Sequence, residues 1–394
     1  MSTQAIAIDA ASRQRYLLVL LFAGFVLTGV EITVVGPMLP VFITRWSLSD
    51  SQAGVLSAVQ FGGSLAGVWL SSLITHYLGT RTSLVLGFIL IAAGLATVNA
   101  PTLTLAYFAL AALGVGYGLV VPPTNLTVAE IGGARSASLV SLVNFAWGAG
   151  AVSCSPLVLL ALKSHLLPQL LFSFAALGAL LAFLFLFSTF PESKHAAPAS
   201  SSSNVVAARV GLLTTIVLAA LFFLYVGLES SFGFWSAAFA KRLGTGAIGI
   251  STLAPMFFYG GLLAGRGLAP LILSRVREYR LVMTALFVVI AGNTIFVLAG
   301  RQLTAFVSLA LAGLGCATIF PVLVAWLSSW YGSKGGRVSG VMFSMSSLGS
   351  SGVPLFVGFV SARAGGLRVG LLVPLISAVV MIFLLLLVRR QAVA

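Results

Sequence analysis

Glu31 and Glu229 lie inside long apolar runs, each at least a dozen residues from the nearest Lys or Arg on either side. At a helical rise of 1.5 Å per residue that is roughly 18 Å or more, too far for either side chain to reach water by extending. An ionisable group at the centre of a bilayer costs ~2.5–3.5 kcal/mol even on the lenient insertion scale, so its default reading is functional. Two kinds of chemistry fit Glu31. Desolvation disfavours the charged form of a carboxyl, which places Glu31 to exchange protons. An ionised Glu31 is instead a hard oxygen ligand for Na⁺, helped by backbone carbonyls freed around Pro37 and Pro40. The residues leave both open.

A second group of side chains suits a neutral polyol, which calls for amides to grip hydroxyl pairs and an aromatic face for the apolar side of a ring. Asn144 and Trp147 lie three apart on one helix face. Gln60, Asn125 and Trp235 join them, and Tyr225 precedes Glu229 by one turn, where it can orient the carboxylate. Interhelical hydrogen bonding is the competing role for the asparagines. For the tryptophans it is anchoring at the lipid–water boundary, the role expected of Trp46, Trp326 and Trp330. Arg266 sits about two turns inside its apolar segment and can act as a gate, paired with a carbonyl or an acid. The other five acids, Asp9, Asp50, Glu130, Glu192 and Glu278, fall at termini, loops or helix ends and read as solvated. His76, His165 and His195 lie at or near loops, and Cys154 and Cys316 sit in apolar runs, so no metal site, disulfide or cofactor is expected.

The elements that must hold these residues follow from composition. The chain has 394 residues, 59% hydrophobic and 7% charged, against about 25% charged in an ordinary globular domain. Such a chain is solvated by lipid, which excludes a soluble enzyme, a disordered protein and a secreted disulfide scaffold. Apolar segments of about 20 residues or more fall near 16–44, 50–75, 82–100, 102–129, 136–162, 168–190, 210–240, 247–274, 280–299, 303–330, 336–362 and 367–388. These are twelve helical spans. With both termini cytoplasmic, the inner side holds fourteen of the 21 Lys and Arg and the outer side seven, as the positive-inside rule requires. That accounts for the net charge of +14 without a nucleic-acid partner. The first apolar run is too long for a cleavable signal.

Residues 191–208, PESKHAAPASSSSNVVAA, read as a flexible cytoplasmic linker between six-span halves at 1–190 and 209–394. The linker is too short to hold a domain, and no P-loop is present to power the chain. The halves repeat at an offset near 198. Gly29-Val30-Glu31 matches Gly227-Leu228-Glu229, GGSLAG at Gly62–Gly67 matches GGLLAG at Gly260–Gly265, and Gly114, Gly116 and Pro122 match Gly313, Gly315 and Pro321 one residue further on. Gly63/Gly67 and Gly261/Gly265 are small-xxx-small spacings for close helix packing.

Span 1 carries GVEITVVGPMLP followed by SLSDSQAGVLSAVQFGG, span 5 NFAWGAGAVSCSP, span 7 YVGLESSFGFW, and spans 10 and 11 IFPVLVAW and SGVMFSMSSLGSSGVP. With the repeat, these stretches resemble the fucose permease-like branch of the major facilitator superfamily, which includes sodium-coupled glucose transporters. The resemblance implies an all-α fold of twelve membrane helices in two pseudo-symmetric halves. It implies a monomeric inner-membrane transporter that couples a small polar solute, expected to be a hexose-like sugar, to H⁺ or Na⁺ by alternating access. Glu31 would be the coupling residue. Glu229 would be a substrate ligand or second coupling site, and Gln60, Asn125, Asn144, Trp147, Tyr225 and Trp235 would bind substrate. There are departures. The loop after span 2 reads THYLGTR (Thr75–Arg81), without the usual acid. Gly116–Asn125, GYGLVVPPTN, lacks the acid of fucose permeases, and the span 5 signature of drug/proton antiporters is absent. Alternative readings are a drug, lipid or organic-solute transporter on this fold, or a non-transporting sensor.

Overall fold

The computed structural model describes residues 3–190, 211–244, 249–273, 276–331 and 335–389; the linker expected at 191–208 lies outside them. The chain has an all-α, twelve-helix membrane fold. We label the helices α1 (Thr3–Thr33, continued as Val35–Trp46), α2 (Asp50–Leu78), α3 (Thr80–Thr97), α4 (Leu103–Gly132), α5 (Ser136–Lys163), α6 (Leu167–Leu186) and α7 (Leu212–Arg242). The remainder are α8 (Ala254–Leu273), α9 (Glu278–Leu298), α10 (Gln302–Cys316, continued as Ile319–Tyr331), α11 (Gly335–Arg363) and α12 (Leu367–Gly370, continued as Leu372–Leu387). Among the described residues, eleven of these, all but α8, are long and apolar enough to cross a membrane. Large apolar side chains such as Phe108, Leu126, Phe172 and Leu303 are exposed, as lipid-facing positions must be.

Lipid offers no partner for backbone polar groups, so each helix satisfies its own. The ends are handled locally. Ser49 and Gln52 form a capping box at the start of α2: Gln52 Oε1 accepts from the Ser49 N–H at 2.9 Å, and Ser49 Oγ accepts from the Gln52 N–H. The Thr102 side chain caps α4 by accepting from the Leu105 N–H. Gly79, at φ 85°, takes the chain from α2 into α3 through a backbone region that other residues avoid.

The described residues group into two compact units, one of Met1–Val34 with Val59–His195 and one of Val35–Ala58 with Ala196–Ala394. Residues 35–58, which belong to the first two spans, therefore pack with the C-terminal part of the chain. The boundary in α1 falls at a break in the helix between Thr33 and Val35.

Within each unit the repeated glycines make matching contacts. A methyl at Gly114 of α4 would overlap the Gln60 carbonyl of α2, and one at Gly313 of α10 would overlap the Phe258 carbonyl of α8. Gly63 and Gly67 lie against Ala111 and Val115 of α4, and Gly261 lies against Ala310 of α10, in each case closer than a methyl allows. The first glycine of each pair, Gly62 and Gly260, has nothing within 4 Å. The internal repeat is thus a repeat of helix-packing geometry. Gly114→Ala and Gly313→Ala should each destabilise the protein by about 1–3 kcal/mol through overpacking. Gly62→Ala and Gly260→Ala, which meet open space inside a helix, should leave the melting temperature of the detergent-solubilised protein unchanged or slightly raised.

Candidate functional site

In the first unit the site is built on the break in α1. Pro37 has no N–H, so it cannot bond to the Thr33 carbonyl, and the helical pattern is interrupted four residues earlier. Val34 bonds back only three residues, to the Glu31 carbonyl at 3.4 Å. The Ile32 carbonyl receives instead a long hydrogen bond, 3.5 Å, from the Gln60 amide of α2. Glu31 stands at this interruption with 0% exposure. Neither of its carboxyl oxygens completes a hydrogen bond with a described residue, although the Gln60 amide lies beside it. Gln60 is itself buried at 1%.

Asn125 of α4 and Asn144 of α5 meet. The Asn144 amide donates to Asn125 Oδ1 at 2.9 Å and to the Val140 carbonyl at 2.8 Å, while the Asn125 amide donates to the Val121 carbonyl. Both residues are half-buried. The arrangement combines the interhelical bond with spare capacity, namely the Asn144 Oδ1 and one Asn125 amide hydrogen. Trp147, one turn on from Asn144, is half-buried, and its backbone carbonyl presses on Gly29 of α1.

In the second unit the corresponding acid has a partner. Glu229 of α7 lies 3.9 Å from the guanidinium of Arg266 on α8, with side-chain exposures of 15% and 25%. That is within Coulombic reach but longer than a charge-assisted hydrogen bond. The Tyr225 hydroxyl lies beside Glu229 and donates to the Cys316 carbonyl at 2.8 Å. That carbonyl is freed by the break in α10, which falls just before Phe320-Pro321. Each of these two acids therefore stands near a break, in α1 or in α10, at which a side chain from a neighbouring helix satisfies a released carbonyl. The breaks do not correspond in the repeat, because α7 and α4 run on unbroken.

Trp235 is apart from this group. It has 0% exposure and its indole N–H donates to the Pro354 carbonyl at 2.9 Å. Trp326, expected at a lipid boundary, is buried and stacked on Trp330 at 5.4 Å. Two features were not anticipated. Phe320 stacks on Tyr225 at 6.0 Å and contacts Phe222 and Phe343, forming an aromatic cluster near Glu229; its sequence signal is the Phe-Pro of IFPVLVAW. Asp50, read as solvated, has a side chain only 10% exposed because Arg242 and Ser361 bind it.

A family model described as Major Facilitator Superfamily matches residues 21–307, and the chain belongs to that superfamily. It is a multi-pass membrane transporter of the alternating-access type and not an enzyme. A bacterial homolog to the human lysosomal transporter Spinster, inward-facing and unoccupied, shares the fold with a TM-score of 0.77 at 16% identity, over 97% of this chain and 98% of its own. A D-xylose-proton symporter gives 0.74 at 16%, over 93% and 96%. The E. coli fucose:proton symporter FucP gives 0.62 at 19%, over 95% and 98%. At these identities the likeness is one of fold. No curated protein matches the sequence.

The Glu229–Arg266 contact can be tested for its contribution. Arg266→Gln leaves a largely buried carboxylate without its counter-charge and should cost about 1–3 kcal/mol. Arg266→Gln with Glu229→Gln should recover most of that loss, read as melting temperatures in a double-mutant cycle.

Proposed function

We propose that this transporter moves a small polar solute, a hexose-like sugar, coupled to H⁺ or Na⁺ through Glu31. The observation that carries the coupling is the Glu31 carboxyl, with 0% exposure and no completed hydrogen bond, at a helix interruption whose carbonyl is already held by Gln60. Such a group is neutral only with a proton and is balanced as an anion only by a bound cation.

A sugar is supported by the spare acceptor and donor of the Asn144–Asn125 pair, by the Tyr225–Glu229–Arg266 group, and by the Phe320–Phe343 rings as an apolar face. It is also supported by the shared fold with proteins named for D-xylose and fucose transport. The motifs of spans 1, 5, 7, 10 and 11 favour the fucose permease-like branch. Glu229 serves as substrate ligand or second coupling site, and Arg266 as its gating partner. Gln60 and Trp147 complete the first half of the binding surface, with Trp235 a supporting residue behind the second. The protein works as a monomer in the bacterial inner membrane with both termini cytoplasmic, its halves at 1–190 and 209–394 joined through 191–208.

Purified protein in liposomes should accumulate a hexose when a proton or sodium gradient is imposed. Glu31→Gln should hold uptake at the equilibrium level while exchange of solute survives. If neither gradient alters uptake by the wild type, the coupling is wrong. Accumulation by Glu31→Gln at the wild-type level would remove Glu31 from it.

A further inference from the structure

The second unit carries a one-sided charge on the face where α1, α7 and α11 end and where α10 and α12 begin. Arg45, Lys241, Arg242, Arg301, Arg363 and Arg368 fall there, against a single acid, Asp50. Arg242 takes up that acid. Three of the arginines lie over aromatic rings. The Arg45 guanidinium carbon is 6.0 Å from the Trp46 centroid, that of Arg368 is 5.8 Å from Phe239, and that of Arg363 is 3.7 Å from Phe359. Arg368 also donates to the Ala299 carbonyl at 2.9 Å. Arg363 differs from both: at 3.7 Å its guanidinium rests on the ring face, and among the described residues it has no ion-pair partner.

Helix geometry explains this placement. Side chains on a helix lean toward its N-terminus. Arg363 is the last residue of α11, so its side chain leans back over the preceding turn, toward the membrane interior, and meets Phe359 four residues earlier. Phe359 is 41% exposed and stacks on Phe356, which is 52% exposed, with centroids 6.1 Å apart. Leu348, also exposed, lies on the same side of α11. An apolar stripe therefore runs below the guanidinium for roughly 22 Å, at 1.5 Å per residue.

A guanidinium held by its face against a ring keeps its edge N–H groups, and those form the fork that grips a phosphate in two parallel hydrogen bonds. Here the fork stands at the head of an exposed apolar stripe. A phosphate ion from water gains nothing from the rings beneath it, whereas a phospholipid uses both parts. The surplus of positive charge on this face favours a headgroup with a net negative charge over a zwitterionic one.

We propose that Arg363 and Phe359, with Phe356 beneath them, form a binding site for an anionic phospholipid, its phosphate on the guanidinium fork and an acyl chain along the rings. The site is on the lipid-exposed side of α11 and does not depend on the identity of solute or coupling ion.

The test titrates detergent-purified protein with phosphatidylglycerol, with phosphatidylcholine of the same chains, or with inorganic phosphate, and reads the tightest-bound adduct by native mass spectrometry. Size-exclusion chromatography checks the folding of each variant. Phosphatidylglycerol should bind about tenfold more tightly than phosphatidylcholine, a difference of ~1.4 kcal/mol, and inorganic phosphate should not compete. Arg363→Gln should weaken phosphatidylglycerol binding by about tenfold. Arg363→Lys keeps the charge without the fork and should fall between the two. Phe359→Leu keeps an apolar surface without the ring and should weaken binding by about threefold. Arg301→Gln removes one charge from the same face and should change the affinity by less than about twofold. Unchanged affinity in folded Arg363→Gln overturns the site. An equal loss in Arg301→Gln also overturns it, reducing the effect to diffuse attraction. Competition by inorganic phosphate would assign the guanidinium to a free anion and defeat the lipid. Should Arg363→Gln fail to fold, Arg363→Lys and Phe359→Leu decide in its place, and wild-type affinity in both would overturn the site.

Discussion

A carbonyl released inside a membrane has to find a partner within the protein, and that requirement organises the centre of this molecule. Among the described residues three helices are interrupted, α1 after Thr33, α10 after Cys316 and α12 after Gly370, and at the first two a side chain from another helix reaches a freed carbonyl. At the first, the Gln60 amide reaches the Ile32 carbonyl; at the second, the Tyr225 hydroxyl reaches the Cys316 carbonyl. An isolated polar backbone group in hydrocarbon costs several kcal/mol, so each side chain is fixed by the break that it satisfies. The same residues stand beside Glu31 and Glu229. The polar groups that hold the backbone together are therefore also those that surround the two acids.

The two acids share a place in the repeat but not an environment. Glu229 has the Arg266 guanidinium 3.9 Å away, so its charge is balanced by the protein. Glu31 has the Gln60 amide beside it and no completed hydrogen bond with a described residue, and under the proposed function its balance comes from a proton or a cation. The proposed roles follow this difference. A group whose charge is balanced only by an exchangeable ion can report the binding of that ion, whereas an internally paired acid orients whatever lies beside it. The glycine contacts of α2 with α4 and of α8 with α10 pack these helices closely within each unit.

Much of this was legible in the sequence for a simple reason: with so few charges, any acid far from a helix end is conspicuous. Glu31, Glu229 and the paired GGxLAG segments stood out on that ground. The asparagine pair was visible as residue types but not as a contact, since residues nineteen apart meet only when α4 and α5 fold back on each other. Prolines announced interruptions without locating them. Pro122, Pro123, Pro156 and Pro354 all lie within continuous helices, while Pro37 and Pro321 follow breaks. A donor from a neighbouring helix does not separate the two sets: Ser83 of α3 donates to the Leu119 carbonyl, which Pro123 leaves without its helical partner, and α4 stays continuous there. Asp50 was misread for the opposite reason. Acids at helix ends are usually solvated, and only the return of α11 and the end of α7 to the same place makes this one a partner for Arg242 and Ser361.

The central claim is that Glu31 is the carboxyl whose charge is balanced by an exchangeable ion. Infrared difference spectroscopy of the purified protein, recorded between acidic and neutral pH and with or without Na⁺, observes that group directly. The account predicts a carboxylic C=O band that disappears on deprotonation or on Na⁺ binding in the wild type and is missing from Glu31→Gln. An identical difference band in Glu31→Gln would contradict it, since the responding carboxyl would then lie elsewhere.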